Sequence, residues 1–234
     1  MSLEKIPAIL LVGLGIHISL TAPTLPTPKN ERRIGDGPVE VNWLLRVVKA
    51  GYWICAVIEL CIVLAGTTKS GSTWSKQVMA LLLPNGKPPE CIRLTPITTL
   101  ATILVVSGAA IRYWCFREMG RNFTFHVTLL KNHKLVTTGP YSTVRHPAYT
   151  GGIFMAIGKV MWYTARGSWL RESVVYQTKL SWLLIAPVML SIFLTIANIP
   201  RRMRVEDEIL KREFGREWDE WAKAVPYRLF PGVH

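Results

Sequence analysis

The chain has 234 residues, half of them apolar, with 18% charged and a mean hydropathy of +0.25. Soluble domains carry about 25% charged residues. Here the charges are clumped between apolar runs, so membrane spans are expected in place of a large water-soluble core. A formal net charge of +13 would suit nucleic acid in a soluble protein, but no nucleic-acid-binding signature accompanies it, and basic loops facing anionic lipid account for it.

A helix needs about 20 mostly apolar residues to cross the hydrocarbon core. In chain order, five stretches predict such helices: Ile6–Ala22, Ala50–Gly66, Ile97–Phe116, Tyr149–Tyr163 and Leu180–Ile199. The first follows Lys5 and reads as a retained helix, since its cleavage site is poor for a signal peptide. The second contains Glu59 and the third Arg112. The fourth is short and glycine-rich. Pro187 should kink the fifth. Between them, Thr21–Pro38 is proline-rich and reads as a loop, and so does Thr67–Pro89. With all five crossing and the C-terminus cytosolic, residues 23–49, 112–148 and 200–234 share one side and hold 19 of the 28 Lys and Arg. That asymmetry fits a cytosolic C-terminus. The expected fold is therefore all-α: a polytopic transmembrane helix bundle of about five spans, with N-terminal spans over 1–116 and a second region over 117–234.

Cys55, Cys61, Cys91 and Cys115 are scattered and form no C-x-x-C pair, so no metal site is expected. Gly13-Leu14-Gly15 lacks a third glycine and lies in the first apolar stretch, which excludes a dinucleotide-type loop there.

Two polar segments carry chemistry. Gly120–Gly152 is too polar to span. Thr138-Gly139-Pro140 marks a tight turn. Pro147 suits the first turn of a helix, which puts His146 at a helix start, facing either a ligand or headgroups. After the fifth stretch comes Arg201-Arg202-Met203-Arg204-Val205-Glu206-Asp207-Glu208. Arg202 and Glu206, four residues apart, share a helical face. Val205, Ile209, Phe214, Trp218 and Trp221 fall near helical spacing, as in an amphipathic C-terminal helix lying in the interface. Such a helix does not by itself call for acids beside the arginines at the mouth of a span.

These segments resemble the isoprenylcysteine carboxyl methyltransferase family of integral membrane enzymes. The matching pieces are G-x-N-F at Gly120–Phe123, L-V-T-x-G-x-Y at Leu135–Tyr141 and R-H-P-x-Y-x-G at Arg145–Gly151. They continue with R-x-x-x-E-D at Arg202–Asp207, F-G-x-x-W-x-x-W at Phe214–Trp221 and V-P at Val225-Pro226. They stand in the family's order across roughly half the chain. The resemblance implies S-adenosyl-L-methionine bound in a pocket at the cytosolic membrane face, and residence in the endoplasmic reticulum. It implies that Leu135, Val136, Gly139 and Tyr141 line the pocket and that His146 and Tyr149 contact the cofactor's polar edge. Arg202 and Glu206 would stand where cofactor and acceptor meet, and Asn122 would order the segment. The chain departs from the prenylated-protein enzymes at Ala148, Gly152-Ile153, Gly158-Lys159-Val160 and Asp207, which bears on the acceptor. The expected acceptor is a lipid-like carboxylate, either a prenylcysteine or a small terpenoid acid. A phospholipid amine and a non-enzymatic lipid-binding role are the alternatives. No nucleic-acid partner is expected.

Overall fold

The computed structural model describes residues 2–21, 32–35, 41–68, 72–84, 87–123, 128–130, 133–173 and 179–233, with side chains excluded at residue 2, 32–35, 41–44, 128–130, 179–188, 190–191 and 194–195. The elements are α1 (Lys5–Ser19), β1 (Arg32–Gly35), α2 (Val41–Thr67), α3 (Thr73–Leu82), α4 (Pro96–Met119), β2 (Thr128–Leu130), α5 (Pro147–Thr164), α6 (Trp169–Glu172), α7 (Lys179–Phe214) and α8 (Arg216–Ala224). The chain is dominated by helix, as expected. A short antiparallel β1–β2 ribbon is added to the all-α expectation. It joins the residues before α2 to the polar segment after α4.

Local chemistry sets the helix ends. Thr95 caps α4 in a reciprocal capping box with Thr98, and Pro96 occupies the first turn. Ser72 caps α3 by accepting from the Ser75 N–H at 3.1 Å. The 67–90 connection, expected as a loop, therefore contains a helix. Gly215 at φ +51° ends α7 and opens α8, so the amphipathic C-terminal helix is separated by a break from the long helix before it.

Among the described residues, two helical segments are long and apolar enough to cross a membrane, Leu45–Thr67 and Pro96–Asn122. That is fewer than the five expected. Helix α1 is apolar but has 15 residues, about 22 Å against the roughly 30 Å of hydrocarbon. Helix α5 has 18 residues. The stretch expected as a fifth span lies in α7, where most side chains, Pro187 included, fall outside those described. Much of the loop expected over Thr21–Pro38 also lies outside the described residues.

The core sits between α1, α2, α4 and α5, around Ile9, Val12, Ile16, Ile62, Val105 and Met155. Helices α4 and α5 pack backbone to backbone. A Cβ on Gly108 would stand 2.5 Å from the Gly151 carbonyl, and one on Gly151 would stand 2.7 Å from that of Gly108. Small residues at such contacts are the usual device of helices packing in lipid. The opposite faces of α1, α2 and α4 expose Leu14, Ile54 and Ile103, as lipid-facing surfaces do. The boundary expected after residue 116 falls within the last turn of α4.

Candidate functional site

The site forms where the start of α5 meets the middle of α7. Pro147 begins α5 and His146 is its N-cap residue, as the sequence predicts. The C-terminal tail holds this junction in place. The Arg145 and His146 N–H groups donate to the Tyr227 and Arg228 carbonyls, both at 2.9 Å. The Thr150 hydroxyl donates to the Leu229 carbonyl at 2.6 Å, and Phe154 stacks on Phe230 at 6.0 Å. Backbone pairing of this kind fixes the direction in which residues 145–150 project.

From α7, the buried carboxylate of Asp207 reaches the same point. His146 Nε2 lies 3.0 Å from Asp207 Oδ1, and Arg145 lies 3.4 Å from Oδ2, with Arg228 Nε at 3.8 Å. A buried carboxylate is tolerated because it is paired in this way. With Nε2–H donating to Asp207, His146 turns Nδ1 toward Glu206, 3.8 Å away. The His146 ring was expected to meet a ligand directly. Its side chain is only 3% exposed and is tied to Asp207, because the tail closes over it.

Glu206 is more open. Its side chain is 33% exposed, and Oε2 accepts the Tyr149 hydroxyl at 2.9 Å. One helical turn earlier on α7, the Arg202 guanidinium lies 5.9 Å from the Tyr149 ring centroid and within hydrogen-bonding reach of that side chain. His146, Tyr149, Arg202 and Glu206 are therefore brought together, with Tyr149 between Arg202 and Glu206.

The remaining expected residues form an adjoining wall. Tyr141, Cys115, Trp218, Trp221 and Val225 make a buried cluster against which Leu135 and Val136 pack. Trp221 Nε1 donates to the Tyr141 carbonyl at 3.2 Å. Burial, with Cys115 and Glu206 adding to it, holds the Tyr141 phenol well above its ordinary pKa, so it is a neutral hydrogen-bonding group. Gly139 takes φ +58°, which a glycine adopts without strain. Glu118 fills the space where its side chain would be. Glu118 also accepts from the Thr138 hydroxyl at 2.9 Å and the Trp114 indole at 3.3 Å, which pins the turn to the end of α4. Asn122 Oδ1 is buried without a hydrogen-bond partner among the described residues.

Asp207, Arg145, Arg228, Thr150 and Glu118 are structural members of the site that the residue-by-residue reading did not assign. A basic Arg-His pair before a proline, and an acidic pair on a later helix, are complementary in charge, and that is the signal that points to Asp207. The tail carbonyls leave no side-chain signal.

Known proteins bear on this geometry. Residues 100–211 match the isoprenylcysteine carboxyl methyltransferase (ICMT) family. The matched region contains the Gly139 turn, His146, Tyr149, Arg202, Glu206 and Asp207. The tail and α8 lie beyond it. The chain is 27% identical over 132 residues to protein-S-isoprenylcysteine O-methyltransferase B of Arabidopsis thaliana, covering 56% of this chain and 57% of that protein. It is 30% identical over 145 residues to the human protein-S-isoprenylcysteine O-methyltransferase, covering 60% and 44%. A mouse Delta(14)-sterol reductase is 33% identical over 101 residues, 43% of this chain and 20% of that protein. The chain thus spans about half the length of the curated relatives it matches.

Proposed function

We propose that the chain is an S-adenosylmethionine-dependent carboxyl O-methyltransferase for a membrane-resident acid, with the C-terminal carboxylate of a prenylated cysteine as acceptor. The observation that carries this reading is the convergence of Arg202, Glu206 and Tyr149, all within the ICMT-matching residues, beside the wall of Tyr141, Trp218 and Trp221. The proposed orientation places this end of the bundle on the cytosolic side, with the protein in the endoplasmic reticulum.

The residues present fit such a cofactor. Trp218 Nε1 is buried with no hydrogen-bond partner among the described residues, beside Leu135, Val136 and Tyr141, and it offers a donor to a ligand. Glu206 and the Tyr149 ring offer negative charge and a π face to a cation. Leu135, Val136, Gly139, Tyr141, His146, Tyr149 and Glu206 would hold the cofactor, His146 acting through its hold on the junction. S-Adenosylmethionine supplies a methyl group carried on a positively charged sulfur.

A carboxylate has a pKa near 4 and is anionic at neutral pH, so the acceptor needs no general base. The chain's task is alignment and exclusion of water. Arg202 grips the acceptor carboxylate through its planar fork, and the Tyr149 ring beneath it limits its rotation. Asp207, Arg145 and the tail keep His146 and Tyr149 in place. Attack of an anion on a cation reduces charge separation, so a site dried by the bundle favours it, and proximity contributes up to about 7–11 kcal/mol in well-oriented cases. An amine acceptor would be repelled by Arg202, which favours a carboxylate.

The test is transfer of a radiolabelled methyl group in membranes containing the full chain, with a farnesylcysteine analogue, a free terpenoid acid and phosphatidylethanolamine as acceptors. Base-labile label on the farnesylcysteine analogue is the expected result. Label on phosphatidylethanolamine alone, or on none of the three, would overturn the reading.

A further inference from the structure

Helices α8 and α3 each carry tryptophan on an apolar side, and they place it differently. Trp218 and Trp221 of α8 are buried in one cluster with Cys115 and Tyr141, so the protein itself covers that side. No residue of α3 is buried, and Trp74 and Leu81 are 46% and 78% exposed. Seven residues make about two helical turns, so Trp74 and Leu81 share one side of α3, with Val78 between them. Lys76 stands on the far side, and Thr73 and Gln77 lie between; all three are exposed. The remaining side, formed by Ser75, Met79 and Leu82, meets the bundle. Met79 and Leu82 pack against its core, and the Trp169 indole donates to the Leu82 carbonyl at 2.9 Å.

The level at which α3 lies is fixed by α2. The Ser75 hydroxyl donates to the Ala65 carbonyl at 2.8 Å, and Ala65 stands in the last turn of Leu45–Thr67, a segment long and apolar enough to cross a membrane. That segment exposes Ile54, Val57 and Leu64, so its apolar surface continues to the end where α3 is tied. A helix tied to the end of a span lies where hydrocarbon gives way to headgroups, a layer that favours Trp on one side of a helix and a charged lysine on the other. We infer that α3 is an interfacial anchor whose Trp74, Val78 and Leu81 side enters the headgroup and upper acyl layer of the bilayer, with Lys76 toward water. Trp169 follows the C-terminal end of α5, so α3 stands at the opposite end of the bundle from the group around Arg202. The inference rests on the membrane-crossing length of α2 and not on methyl transfer.

The experiment places the full chain, one copy per disc, in phosphatidylcholine nanodiscs and attaches a nitrobenzoxadiazole fluorophore to Leu81→Cys or to Lys76→Cys. The original chain, treated alike, gives the background from its own cysteines. Two quenchers are compared: a nitroxide carried near the head of the acyl chain of phosphatidylcholine, and iodide in the water. The label at position 81 is expected to be quenched several-fold more by the lipid nitroxide than the label at position 76, and several-fold less by iodide. If Leu81→Cys does not fold, Trp74→Cys reports the same side of the helix. Equal quenching of the two labels by each agent would overturn the inference. So would shielding of position 81 from iodide without quenching by the nitroxide, because the protein and not lipid would then cover that side.

Discussion

The two ends of α5 handle charge in opposite ways. Beyond its C-terminal end, Lys5 and Glu59 close on each other with 0% and 3% of their side chains exposed. The Trp169 N–H adds a bond to Glu59 at 2.7 Å, and Lys5 rests over Trp162 at 4.8 Å. At its N-terminal end, Asp207 is fully engaged, while its neighbour Glu206 stays one third exposed with Tyr149 on one oxygen. The first arrangement locks α1, α2 and the 165–173 turn together and leaves nothing for a ligand. The second separates duties between adjacent acids: Asp207 holds the scaffold and Glu206 remains at the surface of the site. Burial combined with incomplete pairing is the feature that distinguishes a site from a clamp.

The sharpest way to break this comparison is at the closed end. Glu59→Ala leaves Lys5 buried and unpaired, which should lower stability by about 3–5 kcal/mol. Thermal unfolding of the solubilised chain reads this, while methyl transfer per folded molecule should change little. A loss of activity without a loss of stability would show that the two ends are not separate in duty. At the open end, Gly139→Ala forces a side chain into the left-handed region against Glu118, at about 1–3 kcal/mol. Weaker S-adenosylhomocysteine binding in calorimetry, with the bundle's unfolding temperature nearly kept, is expected. The smallest effect belongs to Lys87 and Glu172, 2.6 Å apart and partly exposed. Burial opposes ionisation of Glu172, but the Lys87 bond and the Gly167 N–H outweigh it and hold its pKa below the ordinary value of 4.5. Its contribution is therefore present above about pH 4.5 and is lost as the pH falls further. As a partly exposed pair it is worth about 0–1 kcal/mol, so Lys87→Met should flatten acid destabilisation only slightly.

Several of these features were legible in the sequence. Apolar run length located α1, α2, α4 and α5, Pro147 located the start of α5, and i, i+4 spacing put Arg202 and Glu206 on one face. The resemblance seen in residues 120–226 agrees with the family match over 100–211. What was not legible depends on backbone partners. The tail binds through carbonyls at Tyr227, Arg228 and Leu229, which any side chain could carry. Helix α3 is short, with ten residues between proline- and glycine-rich flanks, where a single serine cap gives little warning. The break at Gly215 looked like continued helical spacing because the aromatic residues on either side keep an apolar face.

The most direct measurement is methyl transfer by Arg202→Lys, set beside S-adenosylhomocysteine binding by the same protein. Lysine keeps the positive charge but loses the planar fork and its stacking on Tyr149. Losing a charged hydrogen bond to the acceptor should lower the rate by about 1.5–3 kcal/mol, roughly ten- to more than a hundredfold, with cofactor-product affinity largely kept. If Arg202 served only to mark the cytosolic face of the membrane, lysine would do equally well. Near-normal turnover by a folded Arg202→Lys chain would contradict the assignment of Arg202 to the acceptor carboxylate.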